Sequence, residues 1–182
     1  MKRLLATLIL VLIAEASLAQ SHQPYAGLQS RPMKALSEQQ VDDLRNGRGM
    51  GLALAAELNG YPGPLHVLEL ADRLGLTQNQ KAKLQRLFDA MKQESIPLGV
   101  KLIEQEQELN RLFAARVVTP DTLKAATSAI AATQGQLRES HLKYHLSTAA
   151  LLTESQIQQY AALRGYQNQH RGGDHGGANH RN

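Results

Sequence analysis

Between Leu84 and Leu112, apolar side chains recur at alternating spacings of three and four. Leu84, Phe88, Met91, Leu98, Leu102, Leu109 and Leu112 share one stripe if Ser95 and Gln105 fill its two gaps. That rhythm is a helix seam, and it predicts a helix over Gln78 to Arg116, on the order of 58 Å long. Pro97 lies inside it, without an N–H and crowding the preceding turn. The stripe resumes in phase beyond the proline, which predicts one kinked helix rather than two. A short turn follows, then a new start with Thr119 as N-cap, Pro120 in the first helical position and Asp121 suited to the helix dipole. The next helix repeats every seven residues at Leu123, Ile130, Leu137, Tyr144 and Leu151, with the small residues Ala126, Thr133, Ser140 and Ser147 three positions on. Small residues beside a seam admit a close neighbour, so the two long helices are expected to form an antiparallel hairpin across the short turn.

Shorter helices flank this hairpin in the pattern. Residues 20–36 have no periodicity and read as a flexible arm. Ser37 and Gln40 make a capping-box pair and Leu36 with Val41 a hydrophobic staple, so a helix starts after Ser37 and is interrupted at Asn46-Gly47. Met50, Leu52, Leu54 and Leu58 suggest a second short helix despite Gly49 and Gly51, ended by the Asn59 to Pro64 turn. A third runs from about Leu65 to Leu74, and a last one from Thr153 to Arg164-Gly165. These short helices from 37 to 64 form a helical extension, and 65–166 the main domain. Residues 167–182 read as a disordered tail rich in Gly and His.

The amino terminus changes the compartment. Lys2 and Arg3 precede an apolar run of about eleven residues, Leu4 to Ala14, and Ser17-Leu18-Ala19 supplies small residues at the cleavage positions. Residues 1–19 therefore read as a cleaved signal peptide, too short to serve as a membrane helix, with the mature chain starting near Gln20. No later stretch predicts stable membrane insertion. The chain has no cysteine, which excludes disulfides, a thiol nucleophile and a lipid on cysteine. The formal charge of +4 falls to +3 when Lys2, Arg3 and Glu15 leave, a mild excess. Export and the lack of a basic aromatic platform exclude nucleic acid as a partner. With aromatics at 4% and no tryptophan, the core must be built from aliphatic residues on helices.

Leu76-Thr77-Gln78-Asn79-Gln80 and Leu152-Thr153-Glu154-Ser155-Gln156 are two copies of one pattern, Leu-Thr-x-x-Gln. Each is a capped helix start: the threonine oxygen accepts from an N–H, and the glutamine reaches back to the threonine N–H. One copy opens the hairpin and the other follows it. On these motifs, the signal peptide and the hairpin between the copies, the chain resembles the Spy/CpxP superfamily of periplasmic proteins and the related heavy-metal-resistance sensors of the CnrX and ZraP type. The resemblance covers about Leu65 to Tyr166. It implies an all-α, cradle-like fold, commonly a homodimer, with no enzymatic activity. It also implies either binding of unfolded envelope proteins without ATP, for which no cofactor is required, or sensing of a divalent metal ion (Zn, Ni, Co or Cu) relayed to a membrane-bound regulator.

Two histidines bear on that choice. His141 and His145 are one turn apart on the second long helix and can share a metal, with His66, followed by Glu69, as a third ligand. At 100° per residue from Leu137, His141 lies at about 40° and His145 at about 80°. The alternative is a hydrogen-bonded seam histidine at 141 and a solvated one at 145. His170, His175 and His180 are a second possible trap, or merely part of a polar tail. Leu142 and Leu146 fall opposite the seam and need cover from the Ser37 to Leu74 segment, from a second copy, or from an apolar client. Arg48-Gly49-Met50-Gly51 lacks the Lys-Ser/Thr and the strand of a phosphate loop. No nucleophile with its base and no paired acids are visible, which points to a protein that is not an enzyme.

Overall fold

The computed structural model describes residues 25–166, all helix and turn without strands. The expected signal peptide, residues 20–24 and the tail with His170, His175 and His180 lie outside the described residues. Residues 25–31 belong to a separate unit, a turn closed by a single 3-10 turn, Leu28–Ser30. The remainder, from Pro32, is one unit built on α1 (Glu38–Arg45), α2 (Leu54–Glu57), α3 (Pro64–Glu69), α4 (Gln78–Ala114), α5 (Pro120–Ala149) and α6 (Glu154–Leu163).

The hairpin is α4 against α5, and both start as their sequences require. Thr77 and Thr119 each accept from the backbone N–H three residues on, and Gln80 and Thr122 close the boxes. Helix α4 is continuous through Pro97. The proline and Gln93, whose carbonyl it leaves without a helical partner, both lie on the exposed face. The helix stops two residues before the expected Arg116, which has φ 55° and ends it by sending the Val117 N–H back to the Leu112 carbonyl at 3.1 Å.

The seams hold over most of their length, but Leu123 at the start of the α5 repeat is exposed, and on α4 Glu106 is buried while the gap residue Gln105 is half-buried. On α5, Ile130, Thr133, Leu137, Ser140 and Tyr144 are buried as the seven-residue repeat requires, but Ser147 is exposed and Thr148 takes its place. A straight helix drifts by about 20° per heptad, so the buried stripe moves one residue on by the fourth repeat. On α4 the gap residue Ser95 is fully buried, and so is Gly99 one turn later. They form a notch for the end of α1: a Cβ on Gly99 would lie 2.4 Å from the Leu44 carbonyl oxygen, and one on Gly47 would lie 2.7 Å from Ser95 Oγ. Small residues here are a condition of the crossing.

The flanking segments depart further from expectation. Residues 32–36, assigned to the flexible arm, are anchored: Met33 is buried with Leu44, Leu102, Ile103, Ile130 and Leu137, and Leu36 and Val41 pack on the same cluster as the staple requires. A single anchoring methionine has no period to detect. The stretch from Gly49 is not helical as expected, because Gly47, Met50 and Gly51 all take positive φ; only α2 forms, and it buries Ala56 and Glu57 while Leu54 and Leu58 face outward. Helix α3 ends at Glu69 and the chain turns to Gly75, burying Val67 and Leu74.

A second apolar cluster, Val67, Leu74, Leu76, Leu84 and Tyr160, closes the open end of the hairpin, with Leu152 packed against it. Here the two Leu-Thr-x-x-Gln motifs meet. Gln80 Nε2 donates to Gln156 Oε1 at 2.9 Å and to the Leu151 carbonyl at 3.0 Å, and Gln156 Nε2 donates to the Leu74 carbonyl at 3.3 Å. Each glutamine oxygen also accepts from its own threonine N–H, at 3.0 Å in both copies. Capping and tertiary docking are thus one network. Gln80→Ala and Gln156→Ala are each expected to cost about 1–2 kcal/mol, and the double variant to cost about 1 kcal/mol less than their sum. Urea unfolding of the four proteins checks this, and strictly additive losses would dissolve the network into two separate caps.

Candidate functional site

Between the two apolar clusters the interior of the hairpin turns polar. Ser140, His141, Tyr144, His145 and Thr148 are buried on α5, opposite Ser95 and Met91 of α4. The segment from Asn46 to His66 folds over this stretch and borders a half-open cavity of about 510 Å³ whose wall includes His66, His141 and His145. The three expected metal residues therefore border one space, but they are not equivalent within it.

His141 is 2% exposed, and its Nε2 has no hydrogen-bond partner among the described residues. Burial, and then the neighbouring His145, lower its pKa below the usual histidine value, so the ring stays neutral at neutral pH. His145 is 9% exposed, which replaces the solvated histidine that was the alternative at this position. The helical wheel counted only the seam with α4, whereas the turn between α2 and α3 covers the adjoining face. The His145 Nδ1 lies 2.7 Å from the Tyr61 carbonyl, which can only accept, so Nδ1 carries the proton and Nε2 keeps its lone pair in the neutral ring. A Cβ at Gly63 would sit 2.8 Å from that Nε2. Glycine leaves the space in front of it open.

His66 stands apart from this pair. It is partly exposed, with Nδ1 at 3.0 Å from Glu69 Oε2, the partner its spacing offered. No group of three His, Asp or Glu residues among the described residues is arranged to hold a metal ion. Of the two leucines opposite the seam, Leu142 is half-buried and Leu146 is 57% exposed. Cover from the Ser37 to Leu74 segment thus reaches the histidines and leaves Leu146 outside.

Glu57 escaped the sequence reading altogether. It is 8% exposed in the cavity wall and binds four parts of the chain. Tyr160 Oη donates to Oε1 in a short bond, and Tyr166 Oη donates to the same oxygen at 3.0 Å. The Gly63 N–H donates to Oε2 at 3.2 Å, and His145 Nδ1 lies 3.7 Å from it. Burial and the carboxylate beside it push the Tyr160 pKa far up, so the phenol remains a donor. The signal available was indirect: two tyrosines in the last helical stretch of a chain poor in aromatics need acceptors if they are buried.

A family model described as heavy-metal resistance matches residues 51–159. The chain belongs to this heavy-metal-resistance family. The family lies within the Spy/CpxP-like, all-helical superfamily, as the paired motifs implied. The matched span begins in the loop before α2 and ends within α6, so it contains Glu57, Gly63 and all three histidines of the cavity wall. No curated protein and no solved structure matches the chain. Among the described residues of this family member, no helix is long and apolar enough to cross a membrane.

Replacing Glu57 tests how far the wall depends on it. Glu57→Ala leaves the Tyr160 hydroxyl and the Gly63 N–H buried without an acceptor and is expected to cost about 3 kcal/mol, against about 1 kcal/mol for Tyr166→Phe. Denaturant midpoints measure both, and a loss below about 1 kcal/mol for Glu57→Ala would remove Glu57 from the framework of the site.

Proposed function

We propose that this protein is a periplasmic, non-catalytic member of the metal-resistance response whose His141 and His145 bind a metal ion. The observation that carries the reading is the buried, unpartnered Nε2 of His141, one helical turn from a His145 Nε2 that Gly63 leaves open. The donors fit a metal in their chemistry. Metal-ligating histidines commonly donate the other ring N–H to a carbonyl or carboxylate, which fixes tautomer and orientation, and Tyr61 supplies that carbonyl to His145. A bound ion supplies positive charge under the Asn46 to Leu54 loop. The residues of the chain hold two lone pairs in place and exclude water from one of them. Occupancy is read out through the loop and α2, the surface offered to a second copy in a homodimer or to a membrane-bound regulator. Calorimetry with zinc or nickel is expected to show tight binding that is lost in the His141→Ala/His145→Ala variant. Equal binding by that variant would move the site elsewhere, with His170, His175 and His180 next to be replaced.

A second reading has its own support. Leu54, Leu58, Tyr61 and Leu65 are exposed along α2, the following turn and α3, and Leu146 is exposed on α5. Apolar side chains bared in this number suit loose binding of unfolded envelope proteins without ATP. The purified protein is then expected to suppress aggregation of a reduced, unfolding client in the absence of nucleotide, and Leu54→Lys/Leu58→Lys to lessen that suppression. Unchanged client aggregation at several-fold molar excess would end this reading.

A further inference from the structure

Two further side chains on the cavity wall carry sulfur. Met91 on α4 is 7% exposed, and Met50, 41% exposed, stands on the covering loop. Met91 also belongs to the helix seam, which accounts for its burial, and it lines the same cavity as the histidine pair. Met50 has no such account. Its φ is 45°, a left-handed backbone that a branched or long side chain adopts at a cost, and it lies between Gly47 and Gly51, which take the same region freely. A loop that needed only to turn would carry glycine or asparagine there; strained residues of this kind collect at ligand clamps.

The charge of the wall points the same way. Glu57 is its single carboxylate, and both oxygens are engaged by Tyr160, Tyr166 and the Gly63 N–H. Lys92 and Arg48 are its cations, with Arg48 paired to Asp42 and Asp43. The Asn46 amide is bonded to Asp42 and the His66 ring to Glu69, so the remaining donors are the imidazoles of His141, which burial keeps neutral, and His145, with the two thioethers. The chain has no cysteine to add a thiolate, and no third His, Asp or Glu joins the pair among the described residues. A divalent ion in such a wall would keep both its charges in a half-buried space beside a lysine. A monovalent ion keeps one, and thioether with imidazole is a donor set that soft ions prefer.

We infer that the ion this cavity holds most tightly is soft and monovalent, copper(I) or silver(I), bound by His141 and His145 together with the thioether sulfurs of Met50 and Met91. The inference rests on the metal reading of the histidine pair and adds the class of ion and two ligands. No bond is made or broken by the protein beyond coordination, and no electron is transferred.

The test uses the full chain with His170→Gln, His175→Gln and His180→Gln, so that the tail histidines contribute nothing. Copper(I) affinity is measured anaerobically by competition with bathocuproine disulfonate, silver(I) and zinc(II) by calorimetry. Met50→Leu and Met91→Leu conserve volume and are expected to leave the circular dichroism spectrum intact. Each is expected to weaken copper(I) and silver(I) by about tenfold or more while zinc(II) changes by less than about twofold. X-ray absorption of the copper(I)-loaded, otherwise unaltered protein is expected to show sulfur neighbours, a readout independent of any variant. Copper(I) affinity unmoved by both leucines, with only nitrogen or oxygen neighbours, would overturn the inference. If zinc(II) then still binds through His141 and His145, the metal reading stands without it; if no metal binds in a histidine-dependent way, both fall.

Discussion

The reciprocal bond between Gln80 and Gln156 is the constraint on which the arrangement depends. Each glutamine caps its own helix and holds the other, so the two helix starts cannot move apart without uncapping. This fixes α6 against the beginning of α4, and with α6 comes Tyr160, which reaches Glu57. Glu57 in turn holds the Gly63 amide, and the turn leading to Gly63 holds His145 through the Tyr61 carbonyl. A repeated pentapeptide at one end of the hairpin therefore determines, through four hydrogen-bonded steps, which way an imidazole points in its middle.

The middle of the hairpin contributes a different property. An interior filled with leucine from end to end would be more stable and would carry no polar side chains. Here two apolar clusters flank a stretch of Ser95, Ser140, His141, His145 and Thr148, and three of those five leave a buried polar atom without a partner. Such atoms cost stability, on the order of 1–3 kcal/mol each. The end clusters and the Glu57 network offset that cost on either side. The polar stretch is where α1 crosses at Gly99 and where the loop before α2 folds over, so the least apolar part of the hairpin is also the part most fully covered.

Much of this was legible in the sequence, for identifiable reasons. The hairpin was, because a seam imposes a period on many residues and capping boxes mark its ends. So was the placing of His141 and His145 one turn apart on one helix, because their spacing is local to it. What the pattern could not carry was anything set by a single contact between distant residues. Met33 anchors its segment alone, Glu57 owes its burial to tyrosines more than a hundred positions away, and the meeting of the two motifs depends on a turn between α5 and α6 that no period records. The burial of His145 was left open for the same reason: a wheel describes one helix against one neighbour, and a third segment covers that ring. The loop at Met50 failed differently. Its leucines mimic a helical stripe, but glycines on both sides let the backbone turn left-handed, and local permissiveness outweighed the pattern.

The separations along the chain give the open end of the hairpin a kinetic character. Contacts between α4 and α5 near their connecting turn close short loops and can zip early. The bonds at the other end join residues 76, 103 and 109 positions apart. Loop-closure entropy for such spans is met in advance if the hairpin has already brought its ends together. The polar clasp around Glu57 is then the last part to assemble and the first to open, and the histidine pair beneath it becomes accessible from the native state without global unfolding.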